Sequence, residues 1–397
     1  RYGDSYEIDV IATLEGGERP YQVQCHARDG ARVWTITARN GIDDMQVRDH
    51  RMAEVFDRLL SRIAPDLVHV HCVQRLTASV VDTLRRRDLP YIVTLHDGWW
   101  ISPNQFILSR DGAPETYDFR PEAAATLPER GRITQRALEG AAAILAVSEP
   151  FAALHRKAGL SRVETVDNGV STLPARVLQP GPEGRVRLGH IGGMSRHKGY
   201  MLLRGALHAR RFDNLELVVV DHAMAAGQTR QEVWNGTPVQ FLPRCPPSGM
   251  GKLYGRIDVL LAPSLWPESY GLVTREALAL GLWVVASDRG AIGQDIVEGA
   301  SGFVIDVSDH RALVAVLARI DADPARYARP PDHRPELRRA TSQANDLHKV
   351  YQRILGHHAA STRDHCGPGK VISLKTGNRL PSRPRSLPRP TGSCPRA

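Results

Sequence analysis

The chain has 397 residues, of which 42% are hydrophobic and 24% charged, a composition typical of globular proteins. At roughly 100–200 residues per domain this length predicts two domains, and no apolar run approaches the roughly 20 residues that would span a bilayer. The net charge of +9 does not favour nucleic-acid binding, because residues 361–397 hold eight lysines and arginines against one aspartate and the rest is nearly neutral.

Short β-rich runs alternate with helical runs in the first half, as in "YEIDVIAT", "ARVWTIT", "LVHVH", "YIVTLH" and "AAILAVS". This alternation predicts parallel strands with crossover helices, and so an α/β domain over residues 1–172. The chain enters directly on a strand, without the strand, glycine-rich turn and helix that usually open such a domain. We therefore expect the N-terminal βα unit to be missing.

Candidate polar contacts follow the strand "YIVTL". His96 and Asp97 come at its carboxyl end, where parallel sheets place their ligand sites, and Trp99 and Trp100 follow. We expect His96 to contact a ligand and the two indoles to stack on a sugar or a lipid; a loop-anchoring histidine is the alternative. No HExxH spacing accompanies the nearby histidines, so we expect no metal site.

The proline- and glycine-rich residues 173–184 predict a linker. Beyond it, strands such as "RVRLGHI", "LELVVVD", "DVLLAPS" and "WVVAS" predict a second α/β domain over 185–335, followed by a helix over 336–357. Two doubly wound, Rossmann-like domains would enclose an interdomain cleft. Residues 358–397 are rich in Pro, Ser and Arg, which predicts a disordered basic tail. A solvated extension with no role is favoured over contact with anionic lipid.

A strand, a glycine turn and a helix follow one another in "RLGHIGGMSRHKGYMLL". Gly192 and Gly193 come first, then Arg196 and Lys198. Glycines let backbone N–H groups approach a phosphate, and a cation neutralises it; an ordinary turn with solvated cations is the alternative. The spacing matches neither GxGxxG nor the P-loop, so it does not favour a dinucleotide oxidoreductase or a P-loop ATPase.

A second strand, turn and helix, "PSLWPESYGLVTREALALG", contains two acids. Glu268 lies just before the helix entry and Glu276 lies within the helix, on an apolar face that includes Leu272 and Leu280. We expect this face to pack beneath the sheet while the helix start points into the cleft. Carboxylates accept hydrogen bonds from sugar hydroxyls, and the free N–H groups of a helix entry suit an anionic ligand. A capping acid and a chance inward glutamate are the alternative.

Together these motifs resemble the retaining GT-B glycosyltransferases of family 4. The resemblance is carried in order by "HDGWW", "AVSEPF", "DNGV", the glycine pair with Lys198, and Glu268-x7-Glu276, over about residues 60–355. Two features depart from the family pattern. The family commonly has arginine where this chain has Gly193, a loss that Arg196 could offset, and its first βα loop has no counterpart.

The resemblance implies a UDP- or GDP-linked sugar donor, held mainly by the second domain. Glu276 would bond the ribose, Glu268 the transferred sugar, and Lys198 the diphosphate, with His96 near the reacting centre. Further donor contacts would come from Gly192, Gly193, Arg196, Leu242, Arg244, Ser269, Tyr270, Gly271 and Leu272. Acceptor-side contacts would come from Asp97, Trp99 and Trp100.

The expected chemistry follows from charge. Cleavage of the sugar–phosphate bond leaves negative charge on the diphosphate, which cations and helix-entry N–H groups stabilise. GT-A enzymes use a metal-carrying DxD, and the DxD at residues 321–323 does not follow a predicted strand. We expect a hexosyltransferase of class EC 2.4 that acts without metal or cofactor and with retention of configuration, the leaving phosphate assisting deprotonation of the acceptor.

Two alternatives stay open, a GT-B nucleotide-sugar epimerase and a catalytically impaired homologue that binds a nucleotide-sugar or a partner protein. By resemblance, the acceptor would be a glycan or a lipid-linked saccharide in bacterial surface polysaccharide or glycolipid synthesis. Five scattered cysteines without a CxxC pair favour a reducing compartment. We expect a cytoplasmic protein, with peripheral contact at an anionic inner membrane face left open.

Overall fold

The computed structural model describes residues 5–17, 19–179, 181, 184–361 and 369–375. Its strands form two sheets, one of eight strands and one of seven. Helices lie between successive strands in both halves of the chain. The expected α/β architecture of two doubly wound domains is confirmed.

The first sheet has the strand order β2-β3-β1-β15-β4-β5-β6-β7, and its pairs are parallel except for the β2–β3 hairpin. Its strands are β1 (Tyr6–Leu14), β2 (Val23–Arg28), β3 (Ala31–Thr37), β4 (Leu67–Val70), β5 (Tyr91–Leu95), β6 (Ala143–Ala146), β7 (Val163–Thr165) and β15 (Gly369–Lys375). The helices of this half are α1 (His50–Ile63), α2 (Ser79–Arg86), α3 (Glu129–Glu139) and α4 (Glu149–Lys157).

Strand β15 corrects an expectation about the C-terminal tail. It lies between β1 and β4 and pairs with both in parallel, with Ile372 opposite Asp9 and Val68. The expected disordered tail is therefore wrong for residues 369–375. The overall composition of the tail is polar and basic, but residues 371–374 form a short, mostly apolar run. A strand inside a parallel sheet is buried on both faces, which suits such a run. Residues 362–368 and 376–397 of that tail lie outside the described residues.

The second sheet has the order β10-β11-β9-β8-β12-β13-β14 and is parallel except for the β10–β11 pair. Its strands are β8 (Val186–His190), β9 (Leu215–Asp221), β10 (Arg230–Trp234), β11 (Thr237–Pro243), β12 (Val259–Ala262), β13 (Trp283–Ser287) and β14 (Gly302–Ile305). Its helices are α5 (Tyr200–Ala209), α6 (Met250–Tyr254), α7 (Leu272–Ala279), α8 (His310–Ala322) and α9 (Pro324–Tyr327).

The last helix, α10 (Ala340–Ser361), starts and ends four residues later than the predicted helix over 336–357. It packs on the first sheet, where Val350 and Ile354 share a core cluster with Leu67 and Leu145. Helix α10 therefore follows the second domain in sequence but packs on the first domain. Across the described ranges, no helix combines the length and the apolarity needed to cross a membrane.

Candidate functional site

A cavity of about 260 Å³ opens at the carboxyl ends of β8 and β12 in the second domain. Five of the predicted donor-binding residues line it: Gly192, Lys198, Glu268, Leu272 and Glu276. The carboxyl edge is where parallel α/β sheets place their ligand sites. The fold thus brings the glycine turn and the two-acid segment into one wall.

The turn after β8 depends on glycine at two positions. Gly193 has a φ of +74° and Gly199 a φ of +77°. A side chain is strained at such φ values, and at Gly199 a Cβ would also lie 1.8 Å from the carbonyl oxygen of Pro263. The backbone between these glycines forms a short 3-10 turn over Arg196–Lys198, which brings Lys198 to the cavity wall.

Glu268 is held in the cavity wall by two donors. Its Oε1 accepts hydrogen bonds from Lys198 Nζ and from Ser264 Oγ, each at 2.6 Å. Glu268 is only 6% exposed, and a buried carboxylate is costly unless it is paired and hydrogen-bonded. The two bonds therefore satisfy the buried carboxylate. Ser264 was missed as a site residue, although its place two residues after β12 was a usable signal.

Glu276 is bound by a tyrosine from another helix. Tyr254 Oη donates to Glu276 Oε2 at 2.8 Å. Burial raises the pKa of Glu276, and the bond from Tyr254 opposes that rise. Within the described ranges, no protein donor reaches Oε1, so this oxygen can accept a bond from a ligand. Sequence reasoning missed Tyr254, because nothing local connects "KLYG" with the two-acid segment.

Helix α7 is oriented differently from the expectation. Leu272 is 45% exposed and lines the cavity together with Glu276. The buried side instead contains Thr274, Arg275, Ala277 and Leu278. The other residues of the predicted apolar face, Val273, Ala277 and Leu280, do pack in the core cluster formed with β12 and β13. The expectation that this face packs beneath the sheet is therefore wrong only for Leu272 and Glu276. Hydrophobicity could not predict a buried arginine, which here is stabilised by an ion pair of 2.6 Å with Asp295.

Seven predicted donor-site residues do not line this cavity: Gly193, Arg196, Leu242, Arg244, Ser269, Tyr270 and Gly271. Arg196 is exposed, and its Nη1 donates to the carbonyl of Arg110 at 2.6 Å. Leu242 lies near the end of β11, opposite Val220, and Arg244 is exposed just beyond that strand. The structure therefore does not bring the guanidinium of Arg196 to the position where it was expected to offset the glycine at 193.

Ser269 and Tyr270 meet the first domain. Ser148 Oγ donates to the carbonyl of Ser269 at 2.5 Å, and Tyr270 is buried in the core cluster of the first domain. The ring of His197 also stacks on Phe106, with ring centroids 3.6 Å apart. The loops that carry the predicted donor contacts therefore lie directly against the first domain. Gly271, with a φ of +81°, turns the chain from this contact into α7.

His96 lies directly after β5 and contacts another histidine. His71 Nδ1 and His96 Nε2 are 3.0 Å apart, and the rings of His69 and His71 have centroids 4.0 Å apart. Within the part of the chain that the structure describes, no three His, Cys, Asp or Glu side chains are grouped as a metal site requires. The structure places His96 at the carboxyl edge of the first sheet, as expected.

The contacts of Asp97, Trp99 and Trp100 stabilise the fold of the first domain. Asp97 accepts from Gln105 Nε2 at 2.7 Å, Gln74 Nε2 at 2.9 Å and the backbone N–H of Trp99 at 3.0 Å, and burial raises its pKa. Trp99 and Trp100 are 1% and 2% exposed. The expectation that they stack on an acceptor is wrong, because the turn capped by Asp97 directs both indoles into the core.

Two known families match the two halves of the chain. Residues 4–172 match the family described as Glycosyltransferase Family 4, and residues 179–341 match Glycosyl transferases group 1. The chain belongs to the group 1 GT-B glycosyltransferases. The first match ends where the predicted linker begins and the second begins within that linker, so each α/β half of the chain corresponds to one family.

Similar proteins agree with this assignment. The D-inositol 3-phosphate glycosyltransferase of Corynebacterium urealyticum is 26% identical over 286 residues, which are 62% of this chain and 67% of that protein. The chain spans about two thirds or less of the curated relatives that it matches. Sucrose-phosphate synthase from Thermosynechococcus elongatus shares the fold, with a TM-score of 0.66, 18% identity and coverage of 88% and 89%. HepE of Anabaena in complex with UDP-glucose gives a TM-score of 0.55 and 16% identity, with coverage of 89% and 99%.

Proposed function

We propose that the protein transfers a sugar from a nucleotide-sugar donor to an acceptor. The observation that supports this most is the meeting of Lys198, Glu268 and Glu276 in one cavity at the carboxyl edge of the second sheet. One cation and two carboxylates suit a ligand that carries a diphosphate between two sets of hydroxyl groups. A nucleotide-sugar has this chemistry.

The proposed roles follow from the surroundings of each group. Glu276 binds the ribose hydroxyls through Oε1, since Tyr254 already holds Oε2. Glu268, oriented by Ser264 and Lys198, binds a hydroxyl of the transferred sugar. Lys198 Nζ and the N–H groups of the α7 entry stabilise the charge that develops on the leaving diphosphate. Gly192 and Gly193 leave space for its approach.

The proposed mechanism needs no metal or other cofactor. The second domain stabilises the departing nucleoside diphosphate, and His96 contacts the donor sugar from the first domain. The leaving phosphate oxygen takes the proton of the attacking acceptor hydroxyl on the same face of the sugar, which retains its configuration. The enzyme would then be a retaining hexosyltransferase.

The proposed donor is linked to UDP or GDP. The UDP-glucose in the HepE structure favours testing UDP first, although that likeness concerns the fold. The proposed acceptor is a saccharide or a lipid-linked saccharide, at a cytoplasmic location with peripheral contact to an anionic membrane.

A direct test incubates the protein with UDP-, GDP- and ADP-sugars, with and without saccharide acceptors, and identifies the products by NMR. Transfer or release of free sugar supports the proposal, and an inverted anomer would remove the retaining mechanism. An isomerised donor would instead show an epimerase. Binding without turnover would show an impaired homologue.

A further inference from the structure

Two side chains lie against the glycine turn after β8. A Cβ on Gly192 would lie 3.1 Å from Lys198 Cβ, and a Cβ on Gly193 would lie 2.9 Å from Nδ1 of His222. His222 follows directly after β9, and its Nε2 lies 3.3 Å from the carbonyl oxygen of Ile191. Lys198 therefore lies against Gly192 and His222 against Gly193, at the carboxyl edge of the sheet.

The positive charge in the cavity is smaller than the negative charge of a bound nucleotide-sugar. Lys198 is the one lysine or arginine among the described residues that line it, and Glu268 already pairs with Lys198. Glu276 adds a second carboxylate to the same wall. Because a nucleotide-sugar carries a negative charge on each phosphate, the site needs a further cation or donor beside the turn.

His222 is a titratable side chain that lies against Gly193 in this turn. It is exposed enough to meet a ligand, and a space for it exists because residue 193 is glycine. The charged and titratable groups that act on it are Arg244 after β11, Asp221 at the end of β9, Lys198 after β8, and the buried His190.

We propose that His222 is a further ligand of the donor's diphosphate, beside Gly193 of the glycine turn. This rests on the proposed function and assigns the second cation of the site to an imidazole. In the free protein, burial and the charge of Arg244 lower the pKa of His222. An anion beside the ring favours its charged form, so donor binding is coupled to uptake of a proton by His222.

The test is calorimetric titration of UDP-glucose, GDP-mannose and ADP-glucose into the wild type, H222Q and H222K. These three nucleotide-sugars have no terminal phosphate group, which would titrate at about pH 6. A change of their affinity with pH therefore comes from titration of the protein. Wild-type affinity should fall roughly tenfold from about pH 6 to about pH 8.5, with proton uptake visible in buffers of different ionisation enthalpy. H222Q should bind weakly and without that uptake, and H222K should bind well at both pH values.

The matched control is H310Q, which changes an exposed histidine of the same domain and should behave like the wild type. If H222Q keeps wild-type affinity and proton uptake, the inference is overturned while the proposed function stands. The inference is also overturned if H222K binds no better than H222Q. If the wild type binds none of the three donors, the proposed function fails, and the inference fails with it.

Discussion

Lys198 Nζ lies 2.6 Å from Glu268 Oε1, so the cation of the glycine turn and the acid of the helix entry form an ion pair in the cavity wall. Each partner therefore determines the electrostatic state of the other. Two motifs that lie far apart along the chain act as one unit, and a change in either is expected to affect both donor binding and stability.

Lys198→Ala tests this ion pair. We expect kcat/KM to fall roughly 100-fold, because the charge on the leaving diphosphate loses its cation. The free energy of unfolding should fall by about 1–3 kcal/mol, because buried Glu268 loses a hydrogen-bond donor. Steady-state kinetics and urea unfolding measure the two effects. Lys252→Ala, at an exposed position on α6, is the control, and wild-type turnover in K198A would refute the assignment.

Glu276→Gln is expected to change donor affinity and protein stability in opposite directions. Donor affinity should fall about tenfold, because a carboxylate that binds ribose hydroxyls is lost. The melting temperature should rise at neutral pH. Burial raises the folded-state pKa of Glu276 above 4.5, so stability is lost as pH rises through that folded value.

The gain in E276Q should therefore shrink when the pH is lowered below 4.5. Calorimetric titration and thermal unfolding at several pH values check both parts. Glu122→Gln, at an exposed position, should change neither quantity. Unchanged donor affinity in E276Q would exclude the ribose role.

Trp99→Ala should act on stability and not on acceptor recognition. Its indole is buried, and Nε1 donates to the carbonyl of Asp44 at 2.7 Å. We expect a loss of about 3–5 kcal/mol in the free energy of unfolding. Trp99→Phe provides a milder variant in which the acceptor KM can be measured. A raised acceptor KM at wild-type stability would restore the stacking hypothesis.

His155 should make the protein sensitive to acid. It is fully buried, and burial lowers its pKa from 6.5 to about 4. Its contribution to stability is present above pH 6.5 and is lost as pH falls from 6.5 towards 4. The loss is roughly 3 kcal/mol.

His155→Gln removes this titration. Urea unfolding across that pH window should show a shallower decline in H155Q than in the wild type, whatever its stability at neutral pH. His310→Gln, which changes an exposed histidine, should keep the wild-type slope. Equal slopes in all three proteins would contradict the prediction.

Ile372→Ala tests whether β15 completes the first sheet. Ile372 is 0% exposed in the core of the first domain, so the free energy of unfolding should fall by about 2–5 kcal/mol. Lys370→Ala is the matched control, because that side chain is 41% exposed. Hydrogen exchange should show residues 371–374 protected like β1. Rapid exchange there, with a wild-type Tm in I372A, would contradict the strand.

Much of the fold was predictable from local patterns. Alternating β-rich and helical runs indicated the α/β class because parallel sheets bury whole strands and need crossover helices. The turn at the glycines 193 and 199 and the helix entry with its two acids were also predictable from local sequence. Positive φ and the free N–H groups of a helix start are requirements of a few consecutive residues.

Contacts between distant segments were decided by the tertiary structure. The sequence does not reveal that Tyr254 binds Glu276, that His222 lies against Gly193, or that residues 369–375 join β1 and β4. It also suggested the wrong role for Trp99, since an indole after a strand suits a ligand as well as a core. Which side chains are buried and which strands pair depends on how distant segments pack together. The local periodicity of a sequence does not determine that packing.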